Sequence, residues 1–140
     1  METIKEIQKE IIEDFEMFDD WIEKYEFLID LGKELKSLEP EYKIEDNLIK
    51  GCQSRVWLHA EEKNGFIIYS ADSDAIMTKG IIAILLRVLS DQKSKDIINA
   101  DLSFIDKIGL KEQLSATRAN GLVSMIKKIK LYALALGKRY

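Results

Sequence analysis

Cys52 is the only cysteine of the chain and the side chain best suited to covalent chemistry. It follows Gly51 in a predicted loop and is flanked by two basic residues, Lys50 and Arg55. The thiolate is the reactive form of cysteine, and nearby positive charge favours it. One thiol cannot form an internal disulfide, and zinc or iron–sulfur sites usually need three or four protein ligands. We therefore expect Cys52 either to attack and carry a group or to be a small buried hydrophobic residue, as most free cysteines are.

The composition predicts one compact domain covering residues 1–140. The hydrophobic fraction of 46% is enough for a core without disulfides or a metal. The net charge of −4 argues against nucleic acid as the main partner, because nucleic-acid binders are usually basic. The charged N-terminus lacks the apolar region of a signal peptide, and the longest apolar run, residues 80–86, is too short to span a bilayer. With one unpaired cysteine, these features predict a cytoplasmic protein that does not enter the membrane.

Two helices are predicted at the start of the chain. The first begins with a capping box at Thr3–Glu6 and carries an apolar face that extends to Phe18. The second begins after Asp20, includes Ile22 in its apolar face and ends with Gly32 as its C-cap.

A three-stranded antiparallel meander is predicted over residues 42–71. Its strands are expected at 42–49, 55–61 and 66–71, because polar and apolar residues alternate there. Asn64-Gly65 predicts a type I′ hairpin turn between the last two strands. This arrangement places Cys52 in the loop between the first two strands.

Short polar residues are predicted to cap the helices of the second half. Asp72-Ser73-Asp74 is expected to cap a central helix over 75–90 that is apolar nearly all round. Helix capping explains Asp72 and Asp74 better than a cation site does. Ser94 and Asp101 are expected to cap two short helices.

The last helix is expected to start at Ser115 or Thr117. Gly121 lies inside this helix, where glycine costs about 1 kcal/mol relative to alanine. We therefore expect either close packing at Gly121 or a bend of the helix there.

The residues around Cys52 favour group transfer over other thiol chemistry. A cysteine hydrolase needs a histidine base, and the only histidine, His59, is predicted on the solvent-prone face of the second strand, where a surface role is more common. A thioredoxin-type redox motif needs a second cysteine close by, and Ser54 cannot resolve a disulfide. Neither a glycine-rich phosphate loop nor an acidic metal cluster is evident, so no cofactor or metal is predicted. The remaining chemistry is a thiolate that takes a group from one partner and hands it on.

The chain resembles the SufE family of sulfur acceptors. The resemblance rests on Gly51-Cys52-Gln53-Ser54-Arg55-Val56-Trp57, followed by Asp72-Ser73-Asp74-Ala75, Lys79-Gly80 and Arg118-Ala119-Asn120-Gly121-Leu122. It implies an α/β (α+β) fold like that of IscU, with helices flanking a three-stranded antiparallel sheet. It also implies that Cys52 accepts sulfur as a persulfide from a pyridoxal-phosphate-dependent cysteine desulfurase, either SufS-like or CsdA-like. Members of the family stimulate that desulfurase and deliver the sulfur to the SufBCD scaffold for iron–sulfur cluster assembly.

The same resemblance assigns roles around the cysteine. Asp74 and Arg118 match positions on the partner-facing surface, while Gln53 and Ser54 are expected to shape the loop. Gly51 permits a sharp turn or a close approach of the backbone to the partner. We expect the Cys52 side chain to be tucked against apolar side chains at rest and to swing out on docking. A weak homodimer is plausible from the family, and the rival hypothesis is an IscU-like docking module that activates a desulfurase without carrying sulfur.

Overall fold

The computed structural model describes residues 2–36, 38–51 and 54–137, except for the side chain of Lys111. Within these residues the chain forms seven α-helices and one antiparallel sheet with strand order β1-β2-β3. The predicted fold class, α/β (α+β) with helices flanking a three-stranded antiparallel sheet, is confirmed. The strands are β1 (Val56–Lys63), β2 (Phe66–Ser73) and β3 (Gln92–Lys93). The helices are α1 (Ile4–Glu16), α2 (Trp21–Glu34), α3 (Ile76–Leu89), α4 (Ser94–Ile98), α5 (Phe104–Lys107), α6 (Leu110–Gln113) and α7 (Ala116–Gly137).

Strands β1 and β2 form the predicted hairpin. Their register pairs Val56 with Ser73 at one end and Lys63 with Phe66 at the other. The turn residues Asn64 and Gly65 have φ angles of 54° and 88°, both positive, as a type I′ turn requires.

The strand predicted at residues 42–49 is wrong. This segment forms two 3₁₀ turns, Pro40–Tyr42 and Glu45–Asn47, and touches the sheet through one bridge, between Leu48 and Trp57. The Asn47 side-chain amide donates a hydrogen bond to the Tyr42 carbonyl at 2.7 Å, which folds the segment back on itself. The third strand is instead β3, which pairs with the start of β2.

Helix α3 lies at the centre of the molecule, as its apolar sequence predicts. It packs against β2 on one side and against α1 and α2 on the other. Nine of its residues are buried: Thr78, Gly80, Ile81, Ile82, Ile84, Leu85, Leu86, Val88 and Leu89.

Glycine permits the close crossing of α2 and α3. A Cβ atom on Gly32 would lie 2.7 Å from the backbone nitrogen of Gly80 and 3.0 Å from the carbonyl carbon of Lys79. The prediction that Gly32 is a C-cap is therefore wrong: it lies inside α2 because the helices meet there. The predicted apolar face of α2 is also wrong at Ile22, which is 71% exposed.

The predicted helix caps are confirmed at two of the N-termini. The hydroxyl of Thr3 accepts from the Glu6 N–H, and the Asp20 carboxylate accepts from the Glu23 N–H. Helix α7 begins at Ala116, between the two predicted starts, and the Ser115 hydroxyl accepts from the Arg118 N–H. Helix α1 ends at Glu16, so Phe18 lies beyond it and packs on Phe27 instead.

The two short helices are not capped as predicted. Ser94 is the first residue of α4, and its hydroxyl donates to the Ala133 carbonyl of α7. Asp101 accepts from the Ser103 N–H, ahead of α5. Throughout the residues that the structure describes, no helix is long and apolar enough to cross a membrane.

Gly32→Ala is expected to destabilise the protein despite the better helix propensity of alanine. The added methyl group would force α2 away from α3, and overpacking of this kind costs about 1–3 kcal/mol. The free energy of unfolding in urea measures the effect. Lys33→Ala, on the exposed neighbouring position of α2, is the control and should change it by less than about 0.5 kcal/mol. A Gly32→Ala protein as stable as the wild type would contradict the close crossing.

Candidate functional site

The two ends of the cysteine loop are held together as the arms of a hairpin. The Ile49 N–H donates to the Val56 carbonyl at 2.8 Å, next to the bridge between Leu48 and Trp57. Cys52 and Gln53 lie outside the described residues, so the roles predicted for both, and the tucked resting position of Cys52, stay predictions.

Three hydrogen bonds hold the backbone of Arg55 to the residues at the end of β2. The Arg55 N–H donates to the Asp74 carboxylate at 3.0 Å, and the Ser73 hydroxyl donates to the Arg55 carbonyl at 2.7 Å. The Asp74 N–H also donates to that carbonyl at 3.3 Å. These three bonds fix the C-terminal arm of the loop that contains Cys52.

The hydrogen bonds from Ser73 and Asp74 to the Arg55 backbone show that the capping prediction for Asp72-Ser73-Asp74 is wrong. Strand β2 runs through Ser73, and its pairing with Val56 brings Ser73 and Asp74 beside the loop. Helix α3 begins later, at Ile76, and its N-cap residue Ala75 offers no side-chain cap. Short polar side chains here support the loop arm because the strand is longer than predicted.

The N-terminal arm of the loop makes a close approach to α7. Gly51 has a φ angle of +90°, in the left-handed region that glycine favours. A Cβ atom on Gly51 would lie 3.0 Å from the Ser124 hydroxyl oxygen. The positive φ angle agrees with the sharp turn predicted for this glycine, and the close approach seen here is to α7 of the same chain; an approach to a partner stays a prediction.

A small cavity of about 80 Å³ lies beside the loop. Ser54 is held at its edge by a hydrogen bond of 3.2 Å between its hydroxyl and that of Thr78. Arg118 lines the same cavity from the first turn of α7, so the structure brings two predicted site residues, Ser54 and Arg118, to one place. Asp74 is not part of the cavity lining; it bonds to the Arg55 backbone instead. The full lining is Ser54, Ala75, Thr78, Ile81, Arg118, Gly121 and Met125.

The cavity combines one guanidinium group and two hydroxyl groups with an apolar floor. Positive charge and hydrogen-bond donors stabilise a small anion, and the apolar residues limit its contact with water. Gly121 lines this cavity from inside α7, and the close packing or bend expected at that position stays a prediction. A thiolate or a persulfide anion is a group of suitable size and charge for such a site.

Asp72 supports the site in a way that the sequence did not reveal. It is buried, and its carboxylate forms ion pairs with Lys43 at 2.9 Å and Lys79 at 3.2 Å. Burial alone would raise the pKa of Asp72, but bonds from Lys43, the Ser73 N–H and Lys79 outweigh it and hold the pKa below the ordinary value. The residue thereby ties the 3₁₀ segment before the loop to α3. Lys79-Gly80 is part of the family resemblance, but nothing in the sequence indicates that Lys79 pairs with Asp72.

His59 is engaged away from any thiol chemistry. Its imidazole is 3.0 Å from the Glu61 carboxylate and stacks on the Tyr42 ring, with 3.9 Å between ring centroids. This hydrogen bond lowers the pKa of Glu61. The arrangement favours the surface role expected for His59 over that of a hydrolase base.

Metal binding has no support among the described residues. No group of three or more His, Cys, Asp or Glu side chains gathers there. Asp72 bonds to two lysines and Asp74 to a backbone N–H, so both carboxylates are engaged by groups other than a cation site.

Comparison with known families and proteins gives consistent matches. Residues 9–133 match the SufE family model, described as an Fe-S metabolism associated domain. A SufE-like protein of Rhizobium meliloti (strain 1021) is 39% identical over 126 residues, which cover 86% of this chain and 90% of that protein. SufE-like protein 1, chloroplastic/mitochondrial, of Arabidopsis thaliana is 37% identical over 91% of this chain, but the match covers 35% of that longer protein.

A solved structure matches the fold. The solution structure of a hypothetical protein from Thermus thermophilus superposes with a TM-score of 0.77, covering 93% of this chain and 95% of that one. At 17% identity this likeness supports the fold alone.

Asp72→Asn is expected to lower the melting temperature at pH 7, because Lys43 and Lys79 lose their counter-ion. The folded-state pKa of Asp72 lies below its ordinary value of 3.8, so its stabilisation is present above that pH and is lost as pH falls through the folded-state value. The difference in melting temperature between wild type and variant should therefore shrink below pH 3.8. Thermal unfolding by circular dichroism over a pH series measures it, with Asp19→Asn, an exposed carboxylate, as control. A difference that stays constant with pH would refute the ion pairs.

Proposed function

Because the chain belongs to the SufE family, we propose that Cys52 accepts sulfur from a pyridoxal-phosphate-dependent cysteine desulfurase and passes it to a SufBCD-type scaffold. The observation that carries this proposal is a loop whose arms are held by hydrogen bonds, next to a cavity that Arg118 lines. The only cysteine of the chain lies between two fixed arms, and Ser54 and Arg118 line the adjoining cavity.

The sulfur transfer is a thiol exchange. The Cys52 thiolate attacks the outer sulfur of a persulfide on the donor, and a new S–S bond forms at Cys52 while the S–S bond of the donor breaks. The donor leaves as a thiolate, so the exchange needs no external oxidant or reductant. Delivery repeats the same step, with the acceptor thiolate as the attacking group.

The cations around the loop favour the reactive form. Lys50 and Arg55 are exposed on the two arms, and Arg118 lines the cavity. Each contributes positive charge, which stabilises a thiolate and then a persulfide anion. We assign Asp74 a positioning role, because its carboxylate holds the Arg55 N–H. A partner that docks beside the loop would then meet a loop whose two arms are already held in place.

Clearing the donor persulfide would also stimulate the desulfurase. A donor whose persulfide is removed quickly regains its free thiol for the next turnover. Stimulation thus follows from the same chemistry and depends on the Cys52 sulfur. The rival docking module stimulates through contact alone, so the two hypotheses differ in what the loss of that sulfur does.

Cys52→Ser is expected to abolish sulfur acceptance. After incubation with a cysteine desulfurase and cysteine, intact-protein mass spectrometry should show one added sulfur atom on the wild type and none on the variant. Desulfurase turnover should rise with the wild type alone. Ser70→Ala, within β2 and outside the cavity lining, keeps the thiol; it is the control and should retain the mass gain. Full stimulation by Cys52→Ser would favour the docking module, and no mass gain with the wild type would refute the transfer.

Arg118→Gln is expected to make Cys52 less reactive, because the loss of a nearby cation lowers the thiolate fraction. Alkylation of Cys52 by iodoacetamide at pH 7 should slow about threefold, since thiolate is the attacking species. Arg87→Gln is the matched control, because Arg87 pairs with Glu10 and Asp14 between α1 and α3. Equal alkylation rates for the wild type and Arg118→Gln would show that Arg118 does not act on the thiol.

A further inference from the structure

Helix α7 differs in charge from the rest of the chain. It contains four basic residues, Arg118, Lys127, Lys128 and Lys130, and no acidic residue, while all 25 Asp and Glu residues precede it. The whole chain nevertheless has a net charge of −4. A cationic element on an acidic protein attracts an acidic surface and repels another copy of itself.

The outward side of α7 is also unusually apolar. Val123, Leu131 and Leu134 are 40%, 59% and 47% exposed, and with Lys127 they follow the helical repeat along one side. We call these four residues the outer stripe. The opposite side of the helix supplies the core residues Leu122, Met125, Ile129 and Ala133.

The outer stripe begins beside the cysteine loop. Val123 directly precedes Ser124, the residue against which Gly51 packs. Arg118, one turn earlier, lines the cavity with Ser54. From Val123 the stripe extends about 16 Å along the helix, at 1.5 Å per residue. A protein that reaches the loop from this side would lie along the stripe.

We propose that the outer stripe docks an acidic surface with an apolar centre on the sulfur-donating partner. The proposal rests on the function proposed above and names the surface that recognises the donor. Lys127 lies between the exposed aliphatic side chains, so the matching surface needs a carboxylate facing Lys127 and apolar side chains on both sides of it.

The same features argue against two other occupants. A second copy of this chain would bring one net positive helix against another, and like charges facing each other are costly. A lipid bilayer would have to accept Lys127 in the middle of the apolar contact, where helices that lie on membranes place their bulky apolar residues. A partner surface that presents one carboxylate between apolar side chains meets both conditions.

The test is the affinity of a purified cysteine desulfurase from the same organism for variants of the full chain. Leu131→Glu and Lys127→Glu should each weaken binding about tenfold in biolayer interferometry. The controls are Ile22→Glu, an equally exposed aliphatic position on α2, and Lys9→Glu, an exposed lysine on α1; both should bind like the wild type. Lys127→Glu should also reduce the dependence of affinity on salt, because one charge contact is lost.

Three further measurements separate the outcomes. Loading of Cys52 by glutathione persulfide needs no docking, so it should be unchanged in both stripe variants. The proposal would be overturned if both variants bound the desulfurase with wild-type affinity. It would also be overturned if the substitutions changed only self-association, measured by sedimentation, or only the binding of anionic lipid vesicles. A desulfurase that binds through the stripe but adds no sulfur to Cys52 would refute the proposed function and leave the docking surface standing.

Discussion

The geometry of the site depends on the hydrogen bonds between the Arg55 backbone and the end of β2. Ser73 and Asp74 reach these atoms because the hairpin register places Val56 opposite Ser73. The bonds use the N–H and carbonyl groups of residue 55, so its side-chain type does not enter them. Positions 73 and 74, in contrast, need short side chains that donate or accept. Two of the segments that carry the resemblance to the SufE family, 51–57 and 72–75, are thus one structural unit.

Asp72 extends that unit to two further elements. Side chains alternate along a strand, so Asp72 projects away from Ser73 and meets Lys43 and Lys79. A fully buried pair that loses one partner costs about 3–5 kcal/mol. Here both lysines remain about one-third exposed and can be hydrated, which reduces that cost. Three consecutive residues therefore hold the preceding segment, the loop arm and α3 in one arrangement.

Local signals predicted the fold where they are sufficient by themselves. The Asn64-Gly65 turn needs two positive φ angles, and the apolar length of α3 indicates a buried helix. Strand β3 has only two residues, which is too few for a periodic pattern to reveal it. The alternation at 42–49 predicts a strand where the chain forms 3₁₀ turns. The sequence predicts a helix cap at Ser73 and Asp74. A helix cap and the hydrogen bonds at the end of β2 both need a short side chain that bonds a backbone group. Only the register of the hairpin distinguishes these two uses.

The sequence predicts a chemistry for the site but not how its residues come together. A single thiol with flanking cations indicates transfer, but Ser54 and Arg118 are far apart in sequence, and their shared cavity arises from tertiary packing. Helix α7 creates that packing: Tyr69 donates to the Ile129 carbonyl and Ser94 to the Ala133 carbonyl, both on its inner side. The inner side of α7 packs on the core and lines the cavity, while the outer stripe, with Lys127 among its apolar residues, faces outward. In the two proposals made above, Arg118 at the cavity would act on the thiol, and the outer stripe of the same helix would recognise the donor.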